Sequence, residues 1–238
     1  MDQAIDMSLV RLRRHEATQA LLGDTIAITD TEWAQPSRLP GWTRAHVATH
    51  IARNADAFVR VMTQLRDGQA TSLYESASVA REAIERGSER SALELQVDLD
   101  ASAGRLHSHL PELMAMPPDR LVQLTPTLTV RVDRLIIARL GEIVLHHIDL
   151  DIGFAYTDIV DDVAAWLLAF NASKIGKAPN YPALHIVSDS GVTADIGPSD
   201  DPETVTGPDN LLLAWLSGRL PPGQLAKKLP ALPVDDAP

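Results

Sequence analysis

The sequence predicts a mainly α protein, in which an N-terminal helical bundle is followed by a small C-terminal α/β domain. Before Gly153, apolar residues recur at helical spacing in several long segments. After Gly153, short β-branched segments alternate with helical ones and are separated by turn residues. We therefore expect a bundle over residues 1–153 and a smaller domain over residues 154–238.

The first two long helices are predicted from apolar stripes at helical spacing. The first runs from about Gln3 to Ile28, and its apolar stripe is Ile5, Leu9, Leu12, Leu22 and Ile26. The residues expected mostly on its opposite side are Arg11, Arg13, Arg14 and Glu16. The second helix begins at the N-cap Thr43 and ends near Asp67 and Gly68. Its stripe is Val47, Ile51, Phe58, Val61 and Leu65.

Two further long helices complete the predicted bundle. A polar connector with one short helix, Thr71 to Arg90, precedes the third long helix, which Ser91 caps and Pro117 ends. The β-branched segment Leu121 to Val130 is expected to be extended. The fourth helix, about Arg131 to Asp151, is apolar on most of its surface and is therefore expected at the centre.

The C-terminal part is predicted to combine two helices with three short strands. In chain order these are a helix over Asp158–Ile175, strands over Ala183–Val187, Val192–Ile196 and Glu203–Thr206, and a helix over Asn210–Leu216. Ser190 and Gly191 form a turn signal, so the first two strands should pair as a hairpin. The proline-rich end after Leu220 is expected to be an extended tail.

Composition excludes several classes of function. The formal net charge of −11 argues against a nucleic-acid partner. No run of roughly 18 apolar residues is present, so we expect no membrane span. The chain has no cysteine, which excludes disulfides, thiolate zinc sites and a nucleophilic thiol from the protein itself. The acidic N-terminus does not resemble a secretory signal, and we expect a cytoplasmic monomer.

Titratable residues on the second and fourth helices are candidates for a metal site. Glu142 and His146 are one turn apart on the apolar fourth helix, whereas His147 points about 140° away from Glu142. On the second helix, His46 and His50 are also one turn apart. If His50 faces the fourth helix, two nitrogens and one oxygen converge in a set common for zinc. From spacing alone, an ordinary Glu–His ion pair and capping or surface histidines fit better than a metal.

Three segments resemble the mycothiol-dependent maleylpyruvate isomerases of the DinB-like superfamily. They are Leu39–Ala57 (LPGWTRAHVATHIARNADA), Gly141–Leu150 (GEIVLHHIDL) and Leu213–Arg219 (LAWLSGR). The resemblance implies a metal-binding four-helix bundle with a small α/β domain. It also implies a divalent metal, zinc, on His50, Glu142 and His146. It selects His50 over His46, because the matching histidine is followed by Ile-Ala-Arg-Asn.

The activity that the resemblance implies is the isomerisation of maleylpyruvate to fumarylpyruvate, in gentisate-type aromatic degradation, with mycothiol as cofactor. A thiolate adds to the cis double bond, the resulting single bond rotates, and the thiolate leaves. Because the chain has no cysteine, the thiol must come from outside. A zinc ion with an open position lowers the pKa of such a thiol.

The implied substrate is a small dicarboxylate, which requires local positive charge. Arg219 is the residue that we expect to bind it and act in catalysis, because a guanidinium matches a carboxylate with paired hydrogen bonds. Arg219 is equally typical of a surface arginine near a helix end. Asn54 and Arg53 are weaker candidates for substrate binding. Two alternatives remain open: a mycothiol S-transferase for another electrophile, and a non-catalytic metal-binding helical bundle.

Overall fold

The computed structural model describes residues 5–73, 76–125, 128–176, 178–198 and 201–220, together with Leu232. The chain divides into two compact units, Met1–Ile152 and Gly153–Ala237. Apart from Leu232, the predicted extended tail after Leu220 lies outside the described residues. Among the residues described, no helix combines the length and apolar character needed to cross a membrane.

The first unit contains six helices and one β-hairpin in its described residues. The helices are α1 (Met7–Thr25), α2 (Asp30–Trp33), α3 (Arg44–Arg66), α4 (Ala77–Ser88), α5 (Ala92–Met114) and α6 (Leu135–Asp149). The hairpin strands β1 (Leu121–Thr125) and β2 (Leu128–Arg131) pair antiparallel, where the sequence predicted extended chain. A 3₁₀ turn over Val132–Arg134 leads from β2 into α6.

The core of the first unit forms around α3, which packs against α4, α5 and α6. Every residue of α6 is buried except Glu142, so the predicted central position of this helix is confirmed. The apolar stripe predicted for α3 is also buried, from Val47 to Leu65. Burial of these large side chains is the main favourable contribution to the stability of the unit.

The face predicted for α1 is only partly right, because Ile5, Leu9 and Leu22 of the predicted stripe are half-buried and the fully buried face lies beside them. The buried residues of this helix are Val10, Arg14, Thr18, Leu21 and Thr25. Leu12 and Ile26 are instead 49% and 73% exposed. The Thr18 and Thr25 hydroxyls donate to carbonyls one turn back. A guanidinium nitrogen of Arg14 lies 3.0 Å from Nδ1 of His107.

The second unit pairs two helices with a three-stranded sheet. Its elements are α7 (Asp161–Ile175), β3 (Leu184–Ser188), β4 (Thr193–Ile196), β5 (Glu203–Gly207) and α8 (Asp209–Leu216). The central strand β3 pairs antiparallel with β4, which confirms the predicted hairpin, and parallel with β5. Helix α7 packs against α8 and β4.

Candidate metal centre

Helices α3 and α6 bring His50, Glu142 and His146 together. Nε2 of His50 lies 3.2 Å from Oε2 of Glu142, and Nε2 of His146 lies 3.5 Å from the same oxygen. The two imidazole rings are 4.5 Å apart between centroids. One potential ligand atom from each residue lies within 4.8 Å of the other two. The three residues singled out from the sequence therefore form one cluster.

Contacts between the start of α3 and the end of α6 hold the two helices in this arrangement. The Arg44 guanidinium donates to the backbone carbonyls of Leu150 and Asp151, in each case at 2.8 Å. A cation at this position also interacts favourably with the negative end of the α6 dipole. The Arg38 amide donates to the Asp149 carbonyl at 2.9 Å. The sequence did not predict these contacts of Arg44 and Arg38, because each of them joins residues more than a hundred positions apart.

The cluster is buried, with one side chain that reaches solvent. The side chains of His50 and His146 are 4% and 11% exposed, whereas that of Glu142 is 31% exposed. Burial acts to raise the pKa of Glu142, but hydrogen bonds with His146 and His50 outweigh it and hold the pKa well below its usual range. Burial and the nearby His146 lower the pKa of His50. Glu142 therefore stays a carboxylate beside two histidines.

Asp149 orients His146 and was not predicted from the sequence. Its carboxylate is buried and lies 2.8 Å from Nδ1 of His146. Burial acts to lower the pKa of His146, whereas the hydrogen bonds with Asp149 and Glu142 raise it, and the net shift is upward. Since a carboxylate only accepts, Nδ1 carries the hydrogen and Nε2 is directed at the cluster. The spacing of three residues between His146 and Asp149 was the available signal.

The other two histidines of these helices are engaged elsewhere. His46 belongs to the start of α3, where its Nδ1 lies 2.7 Å from the Thr43 hydroxyl and its Nε2 lies 3.2 Å from the Ser88 hydroxyl. His147 is buried and its Nε2 lies 3.1 Å from the Asp24 carboxylate of α1. His147 therefore faces helix α1 and does not join the cluster.

Asn54 and Arg53 have defined partners of their own. Oδ1 of the buried Asn54 accepts a hydrogen bond of 2.6 Å from Arg139 of α6. The Arg139 guanidinium is also buried and donates to the Ile51 carbonyl. Arg53 pairs with Asp56 and Asp98 at 3.0 and 2.6 Å. That either residue binds substrate stays a prediction.

Arg219 lies in the second unit, directly after α8. The chain leaves this helix through Gly218, which has a φ of +70°. The amides of Gly218 and Arg219 donate to the carbonyls of Trp215 and Ala214, which is a Schellman motif. A guanidinium nitrogen of Arg219 donates to the Ser217 carbonyl at 2.8 Å. The positive φ at Gly218 therefore explains why the Gly–Arg pair of this segment begins with glycine.

Comparisons with known proteins agree on one family. The family model described as mycothiol maleylpyruvate isomerase N-terminal domain matches residues 14–151. A crystal structure of mycothiol-dependent maleylpyruvate isomerase shares 24% identity and a TM-score of 0.80, with 90% of each chain covered. A crystal structure of a histidine-to-alanine mutant of mycothiol-dependent maleylpyruvate isomerase shares 23% identity and a TM-score of 0.79, with the same coverage. No curated protein sequence matches the chain. These likenesses confirm the mainly α fold with a small C-terminal domain.

Proposed function

Because this chain belongs to the family of the mycothiol maleylpyruvate isomerase N-terminal domain, we propose that it is a metal- and mycothiol-dependent isomerase that converts maleylpyruvate to fumarylpyruvate. The observation that carries the proposal is the convergence of His50, Glu142 and His146 from two helices. The lack of any cysteine supports it further, since the nucleophilic thiol is then supplied by the cofactor.

The three side chains fit a divalent metal, and zinc in particular. Two imidazole nitrogens and one carboxylate oxygen form a ligand set used by catalytic zinc sites, which keep a further position open. Asp149 supplies the hydrogen-bonded carboxylate that metal-binding histidines commonly have behind them. When bound, the metal lowers the pKa of a thiol, and the thiol supplies reversible addition to a double bond.

The side chains of this protein have three roles in the proposed reaction: they hold the metal, orient one of its ligands and bind the substrate. His50, Glu142 and His146 hold the metal, and Asp149 keeps the His146 ring in the required tautomer. Arg219 binds a carboxylate of the substrate through paired hydrogen bonds and so positions the double bond. Asn54, held by Arg139, is a further candidate for substrate binding.

Metal analysis of two histidine variants tests the proposal. The wild type should hold about one divalent ion per chain, and His50→Ala should lose it, because two remaining ligands bind zinc weakly. His46→Ala is the matched control: this histidine is one turn earlier on the same helix, contacts Thr43 and Ser88, and should leave the metal in place. Equal metal content in the two variants would remove His50 from the site.

An activity assay with maleylpyruvate tests the thiol requirement. Dialysed enzyme should be inactive without a thiol and should regain isomerase activity when mycothiol is added. Full turnover by thiol-free enzyme would contradict the proposal and would point to a metal-bound hydroxide and a hydrolase.

A further inference from the structure

A cavity of about 170 Å³ lies between α3 and α4, and His50 is part of its lining. The α3 wall also includes Arg53, Asp56 and Arg60. Since the helix rises 1.5 Å per residue, the stretch from His50 to Arg60 spans roughly 15 Å. The cavity therefore extends away from one of the proposed metal ligands along the helix that carries it.

The charged side chains on the α3 wall have partners among neighbouring groups. Arg53 pairs with Asp56 and Asp98, and Asp56 also pairs with Arg105 at 2.7 Å. Arg60 donates to the Leu73 carbonyl at 2.6 Å. This wall thus offers guanidinium donors beside a carboxylate acceptor. Hydroxyl groups of a ligand can both donate to Asp56 and accept from the arginines.

The opposite wall is apolar and is formed by α4, with Val79, Ala80 and Ala83 among its residues. A cavity of about 150 Å³ is large enough to bind benzene, so this cavity accommodates a group about the size of a six-membered ring. One polar wall and one apolar wall suit a sugar-like ring, which presents hydroxyls on its edge and carbon–hydrogen groups on its face.

We propose that the α3–α4 cavity binds the uncharged, hydroxyl-rich part of the thiol cofactor, so that the sulfur lies at the His50 end. This inference rests on the proposed function, and it assigns the thiol and the dicarboxylate substrate to different surfaces. It makes α4 a specificity element for the thiol, because the residues of its cavity-facing side determine how much of the cofactor can enter.

Thiol binding to cobalt-substituted protein tests the inference without relying on turnover. Thiolate bound to Co²⁺ produces a charge-transfer absorption, which can be titrated with mycothiol and, separately, with 2-mercaptoethanol. Ala83→Leu fills the cavity and should weaken mycothiol binding at least about 10-fold, the effect of roughly 1.4 kcal/mol of overpacking. Binding of 2-mercaptoethanol should be unchanged, because this small thiol needs only the metal.

Two more variants make the result decisive. Ala80→Leu alters the same wall one turn earlier and should weaken mycothiol binding as Ala83→Leu does. If one of the two variants folds poorly, the other still tests the inference. Ala77→Leu is the control, since this exposed alanine of α4 lies outside the cavity lining and should leave both thiols unaffected.

Three results would overturn the inference. Wild-type mycothiol affinity in both cavity variants would show that the cofactor does not enter the cavity. Equal weakening of both thiols would show that the substitutions disturb the metal site. A raised KM for maleylpyruvate with unchanged thiol affinity would assign the cavity to the substrate. If wild-type cobalt protein bound neither thiol, the proposed function itself would fail.

Discussion

At the scale of single residues, the buried carboxylate of Asp149 decides how His146 presents its second nitrogen. Asp149 is 1% exposed and lies one turn beyond His146, so the hydrogen bond between them is shielded from water. His146 follows Glu142 by one turn, so α6 alone supplies two of the proposed metal ligands. The same helix also carries Asp149, which orients one of them, His146.

Replacing Asp149 by asparagine should weaken metal binding by roughly 10- to 100-fold, the usual effect of losing such a partner. The amide still accepts a hydrogen bond but no longer increases the basicity of the ring. Competition titration against a chromogenic chelator measures the change. Asp151→Asn is the matched control, because Asp151 is half exposed, pairs with Arg38 and should leave affinity unaltered. Equal affinities in the two variants would rule out the orienting role.

Substitution of Arg219 by lysine keeps the charge and removes the paired hydrogen-bond geometry. Charge-assisted hydrogen bonds contribute about 1.5–3 kcal/mol each, so kcat/KM for maleylpyruvate should fall roughly 10- to 100-fold. Metal content and the melting temperature should stay close to wild type, since Arg219 lies outside the ligand set and is only half-buried. Wild-type kinetics in Arg219→Ala would remove this residue from the site and favour an uncharged electrophile as substrate.

At the scale of helices, α4 packs tightly against α3 at Gly87. A Cβ added at Gly87 would overlap Cγ2 of the buried Thr49 and come within 3.0 Å of its Oγ1. A side chain at this position would therefore force the Thr49 side chain to move. Thr49 directly precedes His50, so this contact fixes α4 beside the proposed metal ligand.

Gly87→Ala should lower the free energy of unfolding by about 1–2 kcal/mol, because overpacking outweighs the gain in helix propensity. Gly104→Ala in α5 is a matched control: its Cβ meets no atom within 4 Å, so stability should rise slightly. Thermal or urea unfolding measures both changes. The double variant Gly87→Ala with Thr49→Ala should recover most of the loss, and no recovery would show that the cost has another origin.

The elements predicted well from the sequence were those whose apolar residues keep helical spacing throughout. Helices α3 and α6 belong to this group. The pairing of β3 with β4 was predicted instead from the turn residues between the two strands. The buried face of α1 was not predictable in this way, because Arg14 and two threonines occupy it. Helix α2 has only four residues and shows no periodicity, although Thr29 and Glu32 form a capping box.

The residues of the candidate site also differ in how far the sequence could predict them. Glu142 and His146 share a helix face, so their spacing predicted their proximity. The choice of His50 over His46 came from resemblance alone, since both lie on α3 one turn apart. The bond between Arg139 and Asn54 joins residues 85 positions apart, and only the packing of α6 on α3 produces it.

At the scale of the whole molecule, the proposed metal ligands and Asp149 all belong to the first compact unit. That unit has its own core, which includes Trp33, Ile51, Leu95 and Ile143. A fragment that contains its own core and all ligands should fold and bind metal without the remainder of the chain.

A fragment ending at Ile152 should therefore unfold cooperatively and bind about one divalent ion, with an affinity within roughly 10-fold of the full chain. Circular dichroism and metal titration measure these properties. The same fragment with His50→Ala is the control and should fold but bind metal weakly. A fragment without a cooperative transition would show that the second unit is needed for folding.

The uneven exposure of the three clustered side chains bears on kinetics as well as on affinity. Among them, Glu142 has the largest solvent-exposed share, 31%, against 4% for His50 and 11% for His146. An ion that entered through this face would therefore meet the carboxylate of Glu142 before the two imidazoles, while water is still available to replace the ligands that the ion loses.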